Sequence, residues 1–421
     1  DEQGNLLEFN DDYYGLDSAI FYTAPQSGRY FLRVMPYGGP DVGGSDYTYS
    51  ISLILQSPPR ISITPTSIEE MLLQGSRKVV SVNVTNVGGE SLTFFTRSAT
   101  SAISVLRAQP KWRHTIVVPE SSKLYQDYLR MRQQKRLEMQ QVIQKLLAKR
   151  DPNSQRFAQS LQNSIVSPSI NFIPLKGGKP ISTLQNEQPP SGTWRWLIVD
   201  PDEYDDAINV TKVFYQSDGT HLYFRAELDG GDFDPQNAYF DVLLDTDRNA
   251  GTGDRWIVDG MGIDYILYGG LGWVGVFKFN PATGGFDQVA DFVWFKAING
   301  AVEVGVKLSD IGNPLDLYVG CEFYDDNTGR DDRIPDIWYA PITRDVPWLD
   351  RSPVAGSLLA NESVNMEVTL DSASLGLGIH KANLVFNSND LEKQQLTVPV
   401  TLTVMQVPNI PELISPADGA I

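Results

Sequence analysis

The sequence predicts a mostly β protein: tandem β-sandwiches with one inserted helical segment. Three observations carry this. Period-two alternation recurs along the chain, as in Phe240, Val242 and Leu244 against Asp241 and Leu243, and that alternation marks strands. The 35 Gly and 26 Pro, beside 18 Tyr and 18 Phe, suit short strands joined by tight turns. One long stretch, from Ser122 to Arg150, instead carries apolar residues at three-to-four spacing, the mark of a helix. At 421 residues the chain has room for about two to four domains.

Composition excludes several classes. The net charge of -18 repels phosphate, so nucleic acid is not the expected partner. The same charge suits a soluble secreted protein or one that takes up divalent cations. No run of eighteen apolar residues occurs, so no membrane-spanning helix is expected. Cys321 has no second cysteine to pair with, and one thiol with three His (His114, His221, His380) is too few for a zinc ribbon or finger. Asn83, Asn209 and Asn361 open glycosylation sequons, which matter only in a glycosylating source. The chain begins at Asp1, inside what reads as β-structure, which suggests a piece of a longer polypeptide.

Residues 1–56 read as a partial β-domain of about four strands, with a turn at Pro25–Gly28 and a closing strand from Tyr47. Residues 57–100 open a second β-domain after Pro58-Pro59, with strands marked by Ile61, Ile63, Val80, Val82 and Val84. Residues 346–406 supply matching strands at Val364–Val368, Gly378–Phe386 and Leu396–Val404. Neither part alone has enough strands to cover two sheets, so the two are read as one split sandwich interrupted at a loop.

Between them, residues 101–192 read as a helical arm and linker. Ser121 or Ser122 can cap the helix and Asp151-Pro152 can stop it. A second short helix is expected from Ser154 to Ile165. The basic run Tyr128–Arg136 is a solvated helix face, an arm that pairs with an acidic surface such as a neighbouring copy, or a nucleic-acid or membrane contact, the last disfavoured by the acidity of the rest of the chain. Residues 166–192 are rich in Pro, Gly and Ser, as linkers are. Residues 193–345 read as a jelly-roll-like inserted sandwich. Its expected strands are Val213–Tyr215, Leu222–Glu227, Ala238–Leu244, Ile263–Tyr268, Gly275–Phe279, Phe292–Phe295, Ala301–Lys307 and Leu317–Phe323. Residues 407–421 read as a linker to a following module.

The clearest chemistry is the loop Asp245-Thr-Asp247-Arg-Asn249-Ala-Gly251-Thr-Gly253-Asp254. Oxygen side chains at every second position can surround one hard cation. Its first three positions match an EF-hand, but Ala250 stands where that motif needs Gly and Trp256 where it needs a bidentate Glu. Asp254, or Asp264 from the next strand, can complete the shell. Calcium is the expected ion and bracing its expected role; a metal-free Asx turn is the other reading. Asn10, Asp11, Asp12 and Asp17 form a second candidate, again against a plain turn. Asp325, Asp326 and Asn327 through Asp331, Asp332 and Asp336 read as a solvated loop. Trp194, Trp196, Trp256, Trp273, Trp294 and Trp338 read mostly as core, or in part as platforms for sugar rings. No nucleophile elbow occurs, so no catalytic residue is assigned.

Four stretches carry resemblances. Asn10-Asp11-Asp12, Asp17-Ser18 and Ala24-Pro25 to Gly28-Arg-Tyr30 resemble the C-terminal half of the bacterial pre-peptidase C-terminal domain, and that resemblance implies calcium at the Asn10 turn. The pattern VNVTNVGGESLTF, continued by Pro347-Trp348-Leu349, resembles immunoglobulin-like modules of large bacterial surface proteins. HLYFRAEL, FDVLLDTDRNAGTG, GIDY and AVEVGVKLSDIG resemble sandwich domains related to family nine carbohydrate-binding modules, whose relatives accompany subtilisin-like peptidases and glycosidases. Pro408–Gly419 resembles the start of a fibronectin-type module. Together they imply an extracellular or cell-surface bacterial protein. Two functions follow. One is a non-catalytic structural region that assembles with other copies of itself or other domains of the same polypeptide. The other is an accessory region of a secreted subtilisin-like peptidase that binds a glycan or protein substrate.

Overall fold

The computed structural model describes residues 28–34, 50–100, 115–148, 171–201, 209–343 and 346–406, apart from gaps of one to three residues within those ranges. The expected helix Ser154–Ile165, the tail 407–421 and most of the partial domain 1–56 lie outside the described residues; residues 28–32, 34, 50–53, 55 and 56 are described and form no strand, so the expected closing strand from Tyr47 is not seen over its described part. The chain is mostly β, with one long helix, Lys123–Ala148, among the described residues.

The residues on either side of the insert share one core. Ile61–Thr64, Arg77–Asn86, Ser363–Asp371 and Leu349–Ser352 form a four-stranded sheet in that order. Arg77–Asn86 pairs with Ser363–Asp371 along its length, with Val82 opposite Met366. Alternate residues of each strand point inward, where Val82, Val84, Met366 and Val368 meet Phe94, Leu384, Phe386, Val400 and Leu402. The latter five lie on Leu92–Ala99, Gly378–Ser388 and Gln395–Met405, neighbours in a second sheet that ends at Ile68–Leu73. Removing any one of these clusters of methyls from water contributes on the order of 2 kcal/mol per side chain, which is what draws the two distant segments together.

That second sheet does not stop at the insert. Ala355–Leu358 pairs in parallel with Arg195–Val199, Ala355 opposite Ile198 and Gly356 opposite Val199. The sheet then runs on through Asn209–Ser217, His221–Asp229, Ala301–Lys307 and Trp294–Ile298, ten strands in all. The strands close so tightly at the junction that a Cβ on Gly356 would lie 2.2 Å from Val199 Cγ1 and 2.5 Å from its carbonyl oxygen. Ser352 Oγ donates to the Trp196 carbonyl at 2.7 Å, and Val354 N–H donates to the Leu197 carbonyl at 2.8 Å. Phe95, Val354 and Ala355 belong to the insert's core. Insert and flanks are thus joined by a shared sheet and shared apolar contacts.

The insert's half of that sheet packs on a third sheet, ordered Arg330–Ile334, Leu317–Asp325, Ala238–Asp245, Tyr265–Gly270, Trp273–Asn280, Gly285–Ala290, Asn171–Lys176 and Thr115–Pro119. The last two strands are parallel, and parallel neighbours need a crossover rather than a tight turn. The helix Lys123–Ala148 lies within that crossover, started by Ser122, whose Oγ accepts from Tyr125 N–H at 3.1 Å. So the stretch read as arm and linker is partly sheet: Asn171–Lys176 lies in the expected linker, and its Leu175 is fully buried. All eight expected strands of the insert are present, Ala301–Lys307 with the expected ends and the other seven with shifted ends, and Arg195–Val199, Gly285–Ala290, Arg330–Ile334 and Ala340–Ile342 are additional.

Both faces of the third sheet are covered. Ala238–Asp245 is buried at every residue. Phe240, Val242 and Leu244 face the core shared with the second sheet. Tyr239 and Leu243 face the opposite way, into a cluster with Ile257, Val258, Met261 and Ile263. Those four come from the segment that follows the acidic loop and folds back over this face. Asp241 and Asp245 share that face by parity.

Candidate metal centre

The acidic loop joins two central strands of the third sheet. Asp245 ends the first, opposite Tyr318 of Leu317–Asp325. Asp264 stands just before the second: its N–H donates to the Leu244 carbonyl at 2.9 Å, and its own carbonyl accepts from Phe279 N–H at 2.8 Å. The sheet ladder thus sets both carboxylates at the loop's base. Asp247 stands two residues into the loop and is exposed.

Within the loop, carboxylates order the backbone. Asn249 N–H donates to Asp247 Oδ1 at 2.9 Å and to Asp245 Oδ1 at 3.2 Å. Thr252 Oγ1 donates to Asp247 Oδ2 at 2.9 Å. Asp264 Oδ2 accepts from Thr246 N–H at 2.9 Å and Thr246 Oγ1 at 2.8 Å. The returning chain passes so close that a Cβ on Gly262 would meet the Thr252 carbonyl oxygen at 2.3 Å and that of Asn249 at 2.4 Å. Gly262 N–H donates to Asp245 Oδ2 at 3.3 Å.

Asp245, Asp247 and Asp264 each offer a carboxylate oxygen, and these lie within 4.8 Å of one another. Oxygens that share one calcium at about 2.3–2.6 Å stand at most about 5 Å apart, so the cluster can hold a metal ion. Asp245 is 0% exposed. Burial, opposed by Gly262 N–H and reinforced by the neighbouring Asp264, pushes its carboxyl up to about 6. An unscreened carboxylate there is costly, and a cation would relieve that cost.

The other expected ligands fall differently. Asn249 lies in the loop with its Oδ1 accepting from Gly251 N–H at 2.9 Å. Asp254 is not in the carboxylate cluster. Its backbone bridges Ile263, and its Oδ1 accepts from Ile257 N–H at 3.0 Å; it holds the fold-back segment instead. Asn10, Asp11, Asp12 and Asp17 lie outside the described residues.

The third acidic group, expected as a solvated loop, is corrected in part. Leu317–Asp325 and Arg330–Ile334 pair as a hairpin, so Asp325 and Asp332 are only 6% and 4% exposed. Asp332 Oδ2 accepts from Val210 N–H at 2.7 Å. Asp326 and Asn327 are exposed, and Asp336 lies outside the described residues. Of the tryptophans, Trp294 is buried with Nε1 donating to Glu303 at 2.9 Å. Trp194, Trp196 and Trp273 are half-buried, and Trp256 and Trp338 lie outside the described residues.

No helix among the described residues is long and apolar enough to cross a membrane. Neither a scan of protein-family models nor a search of curated proteins returned a match to this chain.

Proposed function

We propose that this chain is a non-catalytic, calcium-braced scaffold region of a large secreted bacterial surface or filament protein. The observation that carries the reading is the cluster of Asp245, Asp247 and Asp264 carboxylates, gathered where two central strands of the third sheet meet their loop. A hard oxygen-only site of this kind suits calcium, whose affinity at extracellular modules is about 0.1–1 mM. At such affinities the ion is bound outside cells and lost when calcium is removed. The ten-stranded sheet that links both cores supports a spacer that transmits force or position rather than a flexible tether. The resemblance of residues 57–100 and 346–406 to immunoglobulin-like modules of large bacterial surface proteins supports the same reading.

Light scattering of the intact chain tests the assembly part. Ordered polymers that form with millimolar calcium and disperse with chelator are the expected result. A strictly monomeric chain at all calcium levels, which instead retains on immobilised glycan, would favour the accessory role beside a subtilisin-like peptidase.

A further inference from the structure

A second group of acidic and phenolic side chains lies on the same face of the third sheet as Asp245, four residues along the strand Ala238–Asp245. Asp241 stands opposite Glu322 on one side and opposite Tyr268 on the other. Glu322 stands opposite Arg333. Four strands therefore carry one straight row: Arg333, Glu322, Asp241, Tyr268. The next row places Tyr324 opposite Tyr239. Directly opposed side chains of an antiparallel pair have Cβ atoms about 4.5–5.5 Å apart, so these groups meet.

The row has fewer donors than its acceptors need: its one cation, Arg333, lies 3.5 Å from Glu322 Oε1. Asp241, Glu322 and Tyr268 are all 0% exposed. Both Asp241 carboxylate oxygens, Glu322 Oε1 and the Tyr268 hydroxyl are buried with no hydrogen-bond partner. Tyr239 OH reaches Glu322 Oε2 only at 3.4 Å. Buried polar atoms are nearly always satisfied, and an orphaned carboxylate is among the costliest exceptions. The orphan carboxylate atoms are acceptors, and a hydroxyl oxygen can accept as well. A cation answers all of them.

The charges give the valence. Arg333 pairs with Asp331 and lies 3.5 Å from Glu322. One guanidinium set against Asp331, Glu322 and Asp241 leaves two negative charges uncompensated in a buried place. Asp326, which also acts on Tyr268, is exposed and hydrated.

We propose that Asp241, Glu322 and Tyr268 form a second, buried site for a divalent hard cation of the calcium class, distinct from the loop at Asp245. Asp241 and Asp245 are four residues apart on one strand, about 13 Å, too far to share an ion. Without a cation, burial drives the pair toward its protonated forms: Asp241 is pushed well above the usual carboxylate range, chiefly by burial and then by Glu322. Burial likewise pushes Glu322 up to about 8, with Arg333 opposing. Cation binding would displace those protons.

Equilibrium dialysis of the intact, chelator-stripped chain against calcium tests this. D241N and E322Q should each bind one ion fewer than wild type, and D241N/D247N two fewer. An unchanged count in both D241N and E322Q overturns the site. A normal count in D247N with a reduced one in D241N keeps this site and removes the loop. Should D241N fail to fold, E322Q keeps the side-chain shape. Infrared spectroscopy of wild type gives an independent answer. A protonated-carboxyl band that survives saturating calcium and vanishes in E322Q overturns the proposal; loss of that band on adding calcium supports it.

Discussion

Asp247 is the residue at which the loop reading is most cleanly probed, because it is exposed and its removal leaves the sheet intact. D247N should remove the loop's share of the calcium-dependent rise in thermal stability while changing the metal-free melting temperature little. A fluorimetric melt with and without chelator checks it. Asp245 contributes to the pH dependence, beside the buried Asp241 and Glu322. Its folded value near 6 lies above the ordinary 3.8, so the folded metal-free chain holds this proton more tightly than the unfolded chain does. Stability of the metal-free chain should therefore fall as pH rises from about 4 through 6. Protons and calcium compete for the same oxygens, so the stabilisation by calcium should be small at pH 5 and larger at pH 7. Melts at both values check the sign; an equal calcium effect at the two would argue against Asp245 as a ligand. The sequence exposed Asp245, Asp247 and Asp264 because alternating oxygens near glycines are a local signal. It could not exclude Asp254, since only the fold-back of residues 254–263 turns that carboxylate to Ile257 N–H. Nor could it pick out Glu322, whose partner Asp241 is 81 positions away in sequence and adjacent only through strand register.

The junction between Ala355–Leu358 and Arg195–Val199 is the element on which the union of insert and flanks depends. A methyl group at position 356 has nowhere to go against the Val199 backbone. G356A should destabilise by about 1–3 kcal/mol, the usual range for overpacking, and G356V by more. Urea titration measures it. If G356V melts like wild type, the strands are not held this closely. By contrast Leu384 lies fully buried in the flanking core, and L384A should cost about 2–5 kcal/mol. Long alternating strands such as Ala301–Lys307 were legible because pattern alone fixes them. Arg195–Val199 and Gly285–Ala290 were not, since their burial depends on neighbours: Ile198 is buried by the junction, and Phe286 by the fold-back face. Asn171–Lys176 sits among Pro, Gly and Ser and reads as linker until the crossover gives it a parallel partner.

Across the whole molecule, two cores share one ten-stranded sheet, and residues of the flanks enter the insert's core. That residues 57–100 and 346–406 contribute to one core was legible because each half lacked strands. The continuity was not, because a parallel contact of two residue pairs leaves no local pattern. Cores coupled in this way should unfold together, and calcium at the loop should move the common transition. At about one hundred times its dissociation constant a bound ion adds about 2.7 kcal/mol, a shift of about 3 °C for a single unit of this size. The most direct measurement is scanning calorimetry of the intact chain in excess chelator and in 10 mM calcium (about one hundred times the tighter end of the extracellular range). A single transition that moves upward by about 3 °C or more in wild type and by less in D247N, which keeps the buried site at Asp241, is the result this account predicts. A wild-type transition at the same temperature in both solutions would contradict it.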